Sequence, residues 1–85
     1  MRVLLPGALH SYTGANEVTA HGDTLHALFA DLDRRYPGLR FRVVDEQQQL
    51  RPHMRVFVNG QGVRDLAFGL KDGDFVAVVL ALSGG

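Results

Sequence analysis

Residues 22–38 read GDTLHALFADLDRRYPG, and this stretch decides the fold. Leu25, Leu28, Phe29, Leu32 and Tyr36 recur at the spacing that puts apolar side chains on one face of an α-helix. Asp23 or Thr24 stands where a side-chain oxygen can cap the first free amides, although no Glu or Gln follows to complete a capping box. Arg34 and Arg35 occupy the last turn, where positive charge suits the helix dipole, and Pro37 with Gly38 stops the helix. A helix with one apolar stripe needs one apolar surface to lie on.

The flanking segments supply that surface as strands. Residues 2–5 of RVLLPGALH predict a first strand, with Pro6 and Gly7 marking an irregular or edge position. A turn at 13–16 and a strand at 17–20 then complete an opening hairpin. Residues 39–52 admit either a short helical turn or an extended connection, and Gln47, Gln48 and Gln49 read as a solvated loop. In HMRVFVNG, Met54, Val56 and Val58 face one side while Arg55 and Phe57 face the other. Asn59 and Gly60 turn the chain into a short strand around Val63, and KDGD at 71–74 turns it into a last strand over 75–81.

The last strand is apolar on both faces, which predicts a central position parallel to the first strand in a mixed sheet. The fold class is therefore α+β, a ubiquitin-like β-grasp: a mixed four- to five-stranded sheet with one main helix packed on one face. The helix-side core comprises Val3, Leu5, Val18, Leu25, Leu28, Phe29, Leu32, Val56, Val58, Val76 and Val78. Leu4, Phe57, Phe75, Ala77 and Val79 face the opposite way. An apolar patch of that kind marks a protein docking site, unless the 39–52 segment lies over part of it; both readings stand at this point.

Composition narrows the function classes. Eighty-five residues make one small domain, without room for a deep enzyme cleft; residues 1–82 form the body and residues 83–85 a flexible Ser-Gly-Gly tail. Nine Lys plus Arg balance nine Asp plus Glu, so bulk charge argues against general attraction to nucleic acid or to an anionic membrane. With no Cys, disulfides, thiolate catalysis and cysteine metal sites are excluded, and no side chain can carry sulfur as a persulfide. The first ten residues lack the long apolar core of a signal peptide, and no eighteen-residue apolar run exists. These features predict a soluble, cytoplasmic domain.

Other chemistry is weaker. His10, His21, His26 and His53 include no pair at metal-binding helical spacing, so no metal site is expected. Ser83 sits in the tail, where nothing can hold a nucleophile against a base. Arg34, Arg35, Arg40, Arg42, Arg51 and Arg55 could form a basic patch for RNA. Interleaved Asp31, Asp33, Asp45 and Glu46 dilute that field and favour solvation or charge contacts with a protein partner.

Taken in order, GDTLHALFADLDRRYPGLR, LRPHMRVFVNG, VRDL, LKDGDFVAVV and the final SGG resemble the MoaD/ThiS family of ubiquitin-like sulfur carriers over nearly the whole chain. That family includes the molybdopterin-synthase small subunit, the thiamine-pathway carrier and the CysO-type carrier for cysteine synthesis, and the resemblance leans to the CysO-like and small-modifier branch. Many members have a proline shortly before the tail, where this chain has Leu80 and Ala81, and its 64–70 segment is short. The resemblance implies a carrier, not an enzyme, with no bound cofactor. An E1-like adenylating enzyme of the MoeB/ThiF type would use ATP to activate the Gly85 carboxylate, and sulfur transfer would give a thiocarboxylate. Gly84 and Gly85 would then be the sulfur-carrying end, with Leu4, Phe57, Phe75, Val79 and Leu82 docking partners. The acceptor would be a molybdopterin-synthase large subunit, a thiazole synthase or a cysteine synthase. Conjugation to proteins through Gly85 is one alternative, with the single Lys, Lys71, limiting self-conjugation; a non-catalytic β-grasp interaction or RNA-binding module is the other.

Overall fold

A computed structural model describes residues 1–81. The expected body-to-tail boundary, Leu82 and the two terminal glycines lie outside the described residues. Strands β1 (Arg2–Leu4), β2 (Glu17–Thr19), β3 (Met54–Val58), β4 (Gln61–Val63) and β5 (Phe75–Leu80) form one sheet in the order β2-β1-β5-β3-β4. The helices are the single turn α1 (His10–Thr13), the long α2 (Leu25–Arg35) and the short α3 (Leu39–Val43). β1 and β5 run parallel, with Val3 beside Val76, while β2 and β3 pair antiparallel to them. β5 is central because Val76 and Val78 are buried against the helix side while Ala77 also packs between neighbouring strands.

α2 follows the periodicity closely. Leu25, Leu28, Phe29 and Leu32 are each fully buried, and Thr24 Oγ1 accepts the Ala27 amide at 3.1 Å. The capping pattern left the first two helix amides open; the 64–70 connection supplies their acceptors. Leu25 N–H donates to Phe68 O at 3.1 Å and His26 N–H to Leu66 O at 2.8 Å, so this short segment completes the cap of the helix.

Pro6 and Gly7 mark an irregular position and not a sheet edge: β1 lies between β2 and β5, and Pro6 costs no ladder bond because it stands beyond the strand's end, opening a 3-10 turn at Gly7–Leu9. β1 and β2 pair antiparallel as the expected hairpin, and the connection between them holds more than the turn at 13–16. Burial of Leu9 pulls it into that 3-10 turn and α1, which Gly14 ends at a φ of 70° with its N–H on His10 O. The Asn59-Gly60 turn is as expected, with φ of 50° and 86°. Asn59 also ties the start of β5: its Nδ2 donates to Asp74 and its Oδ1 accepts the Phe75 amide, both at 2.9 Å.

The ambiguous 39–52 stretch resolves into α3 and a turn. Leu39, Val43, Val44 and Leu50 join the same buried cluster as the α2 stripe. It therefore closes the top of the helix-side core and leaves the other sheet face uncovered.

The crossing from β2 to α2 holds two features invisible to periodicity. A Cβ on Gly22 would stand 2.4 Å from Leu28 N and 2.7 Å from the Ala27 carbonyl carbon, both backbone atoms that cannot swing aside. Gly22→Ala is expected to destabilise the domain by about 3 kcal/mol, measured by urea unfolding. Beside it, Asp31 accepts the His21 amide at 2.9 Å, pairs with Arg35 at 3.0 Å and also binds Arg34. The His21 N–H, and then the two guanidiniums, hold its carboxyl well below the usual carboxylate range against the opposing pull of desolvation. A depressed folded pKa means this stabilisation is complete above the unfolded value, about 4, and fades as pH falls through and below it. Asp31→Asn should cost about 2 kcal/mol at pH 7, and the gap between variant and wild type should narrow in unfolding curves taken at progressively lower pH.

Candidate functional site

The site is built on the sheet face that α2 leaves bare. Residues paired across neighbouring strands share a face, so the register lines up Glu17, Leu4, Ala77, Phe57 and Gly62 in one row. Phe75 lies below that row beside Arg2, and Val79 lies above it beside Arg55. The structure thus brings together Leu4, Phe57, Phe75 and Val79, four of the five predicted docking residues. Leu82 is outside the described residues.

Leu4 is 37% exposed and Val79 41%, while Phe57, Phe75 and Ala77 are half-buried. The small residues Ala77 and Gly62 flank Phe57 and leave the middle of the face shallow. An apolar depression of ≈ 490 Å³, lined in part by Leu4, Pro6, Gly7 and Val79, continues the patch to the end where β1 and β5 finish.

Charged groups rim the lower side. Arg2 pairs with Glu17 at 2.9 Å and lies over the Phe75 ring, 5.1 Å from its centroid. The hydrogen bond from Arg2 holds the Glu17 carboxyl below its ordinary value. Asp74 is likewise held low, first by the Lys71 amide and then by Asn59, which fixes the turn that launches β5. These contacts orient the face; none of them places a nucleophile against a base.

At the upper end, Ala81 N–H donates to His53 O at 2.7 Å, so the chain leaves the sheet beside the start of β3. This exit point was not legible in the sequence, because it depends on the β3–β5 register. The four histidines are all exposed, and among the described residues no three His, Cys, Asp or Glu side chains gather where a metal could sit. A cavity of ≈ 680 Å³ lined by residues including Thr24, His26, Gln49, Arg64 and Asp65 lies by the N-terminal end of α2, away from the apolar face. No helix among the described residues is long and apolar enough to cross a membrane.

Comparison with known proteins places this geometry. The ThiS family model matches residues 3–85. The sulfur carrier protein CysO of Mycobacterium tuberculosis is 36% identical over 89 residues, covering 98% of this chain and 96% of the relative. The crystal structure of that organism's CysO superposes with a TM-score of 0.90 at 34% identity, over 95% of this chain and 98% of the other. The Amycolatopsis orientalis BexX/CysO complex contains a chain that superposes with a TM-score of 0.91 at 33% identity, over 99% of this chain and 98% of the other. A five-stranded β-grasp sheet with an open apolar face, matched along nearly its whole length in sequence and in backbone, makes this chain a member of the ThiS family.

Proposed function

We propose that this chain is a sulfur carrier whose Gly85 carboxyl is the reactive group. The observation that carries the proposal is that the family match runs through residue 85, so the Ser-Gly-Gly end belongs to what the chain shares with its relatives. The position of β5 supports it: the strand that leads to the tail is gripped on both sides by β1 and β3, which gives the tail a rigid base.

The chemistry follows from the weakness of a carboxylate as an acyl donor. Its charge repels nucleophiles and it has no good leaving group. An E1-like enzyme of the MoeB/ThiF type joins the carboxylate to the α-phosphorus of ATP and releases pyrophosphate. Hydrosulfide-level sulfur then attacks the acyl carbon of the mixed anhydride, AMP leaves, and a thiocarboxylate remains. The carrier contributes no catalytic group. It contributes a docking face through Leu4, Phe57, Phe75 and Val79, with Leu82 as the next apolar residue along, and an end slim enough to enter a cleft because Gly84 and Gly85 have no Cβ. The body spans residues 1–82 and the tail residues 83–85.

The thiocarboxylate is delivered to a synthase. The similarity to CysO carriers puts a cysteine synthase first among acceptors, ahead of a thiazole synthase or a molybdopterin-synthase large subunit. A CysO relative in complex with BexX supports action through a bound partner protein. The absence of Cys supports a terminal acyl carrier over a side-chain persulfide, and a cytoplasmic setting is consistent with that chemistry.

Intact-mass analysis tests the proposal. Incubation with the cognate adenylating enzyme, ATP and sulfide should replace one oxygen by sulfur, with fragment ions placing the change on Gly85. Protein that stays at its unmodified mass under these conditions overturns it, and isopeptide adducts instead of the thiocarboxylate would favour the protein-modifier alternative.

A further inference from the structure

The arginines of the middle of the sequence fall into three groups, Arg40 standing by itself with its guanidinium on the Gln48 side chain. Arg34 and Arg35 are neutralised by Asp31. Arg42, Arg51, Arg55 and Arg64 make no ion pair with a carboxylate among the described residues. All four gather around residues 50–54, beside the point where Ala81 is held to His53. Arg51 donates to Phe41 O at 2.7 Å, Arg55 to Pro52 O at 2.6 Å, and Arg64 to Met54 O at 3.2 Å and Leu50 O at 3.3 Å. Backbone carbonyls thus fix these three guanidiniums while leaving their charges uncompensated.

Three carboxylates near the collar accept backbone amides, and Glu46 stands exposed in the loop between α3 and β3. Asp45 accepts the Gln47 and Gln49 amides, Asp65 the Ala67 amide, and Asp33 the Gly38 and Arg40 amides. Asp72 and Asp74 lie at the other end of β5, before Phe75. Arg42, Arg51, Arg55 and Arg64 thus stand toward the end of β5 opposite Asp72 and Asp74, beside Ala81.

We propose that this basic collar is a second recognition surface, adjoining the apolar sheet face at Arg55, and that it takes the acidic rim of the protein cleft that receives the tail. The inference rests on the carrier reading for the identity of that protein. Residues 82–85 span at most about 14 Å when extended. Any cleft that holds Gly85 must therefore bring its mouth within about that distance of Ala81, which is held to His53. Burying four uncompensated guanidiniums against a neutral or basic rim would be costly, whereas carboxylates meet them with charge-assisted bonds and steer encounter.

Protein carboxylates fit better than RNA phosphates. Single-strand binders stack successive bases on several aromatic rings along a basic groove. Here one exposed ring, Phe41, has the Arg51 guanidinium over one of its faces, 4.6 Å from the centroid. The depression it lines with Arg42, Arg51 and His53 is only ≈ 290 Å³.

The test uses the full ¹⁵N-labelled chain titrated with deca-glutamate and, separately, with deca-uridylate, at low and at moderate salt. Deca-glutamate should move the amides of residues 40–55 and 64, bind more weakly as salt rises, and bind about ten-fold more weakly to Arg42→Glu/Arg51→Glu. Arg42→Lys/Arg51→Lys should retain most of the binding, which separates lost charge from lost structure. The variant lacking Gly84 and Gly85 should bind the peptide as wild type does, so the collar is tested even if the carrier reading fails. With the adenylating enzyme, Arg42→Glu/Arg51→Glu should lower kcat/KM about ten-fold at low salt with kcat unchanged. Shifts scattered over the surface, tighter binding of deca-uridylate than of deca-glutamate, or wild-type kcat/KM in the charge-reversed variant would each overturn the proposal.

Discussion

Removing Gly84 and Gly85 is expected to abolish thiocarboxylate formation while leaving the melting temperature unchanged. The described core ends within β5: Val76 and Val78 are buried, and Leu80 is the last paired residue of the strand. Nothing in that core depends on the two glycines. The reacting carboxyl, however, would be drawn back by about 7 Å, two residues of extended chain, and a displacement of about 1 Å at a reacting centre already costs about 100-fold. Gly85→Ala keeps the length and adds only a methyl group, so it separates reach from width. If the tail must pass a narrow channel, this variant also fails, and mass spectrometry with ATP and sulfide reads both. A carrier still thiocarboxylated after the deletion would remove Gly85 from the mechanism. An interaction domain that works through its body alone predicts that unaltered function.

Val79→Asp is expected to weaken binding to the adenylating enzyme by about 100-fold, equivalent to about 2.8 kcal/mol. Val79 is 41% exposed and stands across from Arg55, so in the free protein the new carboxylate keeps access to water beside a guanidinium. The fold should tolerate it. In a complex, the same carboxylate would be trapped in an apolar interface and lose its hydration without a designed partner. Calorimetric titration measures the loss, and thermal unfolding verifies the body. Phe57→Asp should act in the same direction from the middle of the face. Because Phe57 is half-buried, that variant also carries a stability cost, and the exposed position gives the cleaner comparison. Wild-type affinity in Val79→Asp would move the docking surface off this sheet face.

These two experiments probe different parts of the proposed carrier, and the collar experiment probes a third. Loss of tail chemistry with retained binding, loss of binding with an intact tail, and a salt-dependent fall in kcat/KM with kcat unchanged are separable outcomes. A sulfur carrier that docks through its sheet and is guided by its arginines should show each in its own variant.

Residue pattern alone determined the helix over Leu25–Arg35, the strand alternation of Met54–Val58, the apolar character of both faces of β5 and the division of the sheet into a helix side and an outer side. These rest on period and chemistry, which are local properties: the 3.6-residue stripe and the two-residue alternation specify which way each side chain points. The Asn59-Gly60 turn was legible for the same reason, since two left-handed residues in succession favour that pair. The Gly-Gly end was also legible, and it directed attention to the carboxyl.

Tertiary structure decided what depends on distant segments meeting. Gly22 reads as an ordinary loop glycine until the chain doubles back onto the α2 backbone. The 64–70 segment reads as a connection until Leu66 and Phe68 carbonyls cap the helix. The arginines read as one diluted run, because sequence spacing cannot tell which of them Asp31 neutralises. Only the β3–β5 register, which carries Ala81 to His53, sets the unpaired ones beside Ala81. Hydrogen bonds and ion pairs across the fold are short-ranged in space and unordered in sequence, so their partners emerge only when the core has packed.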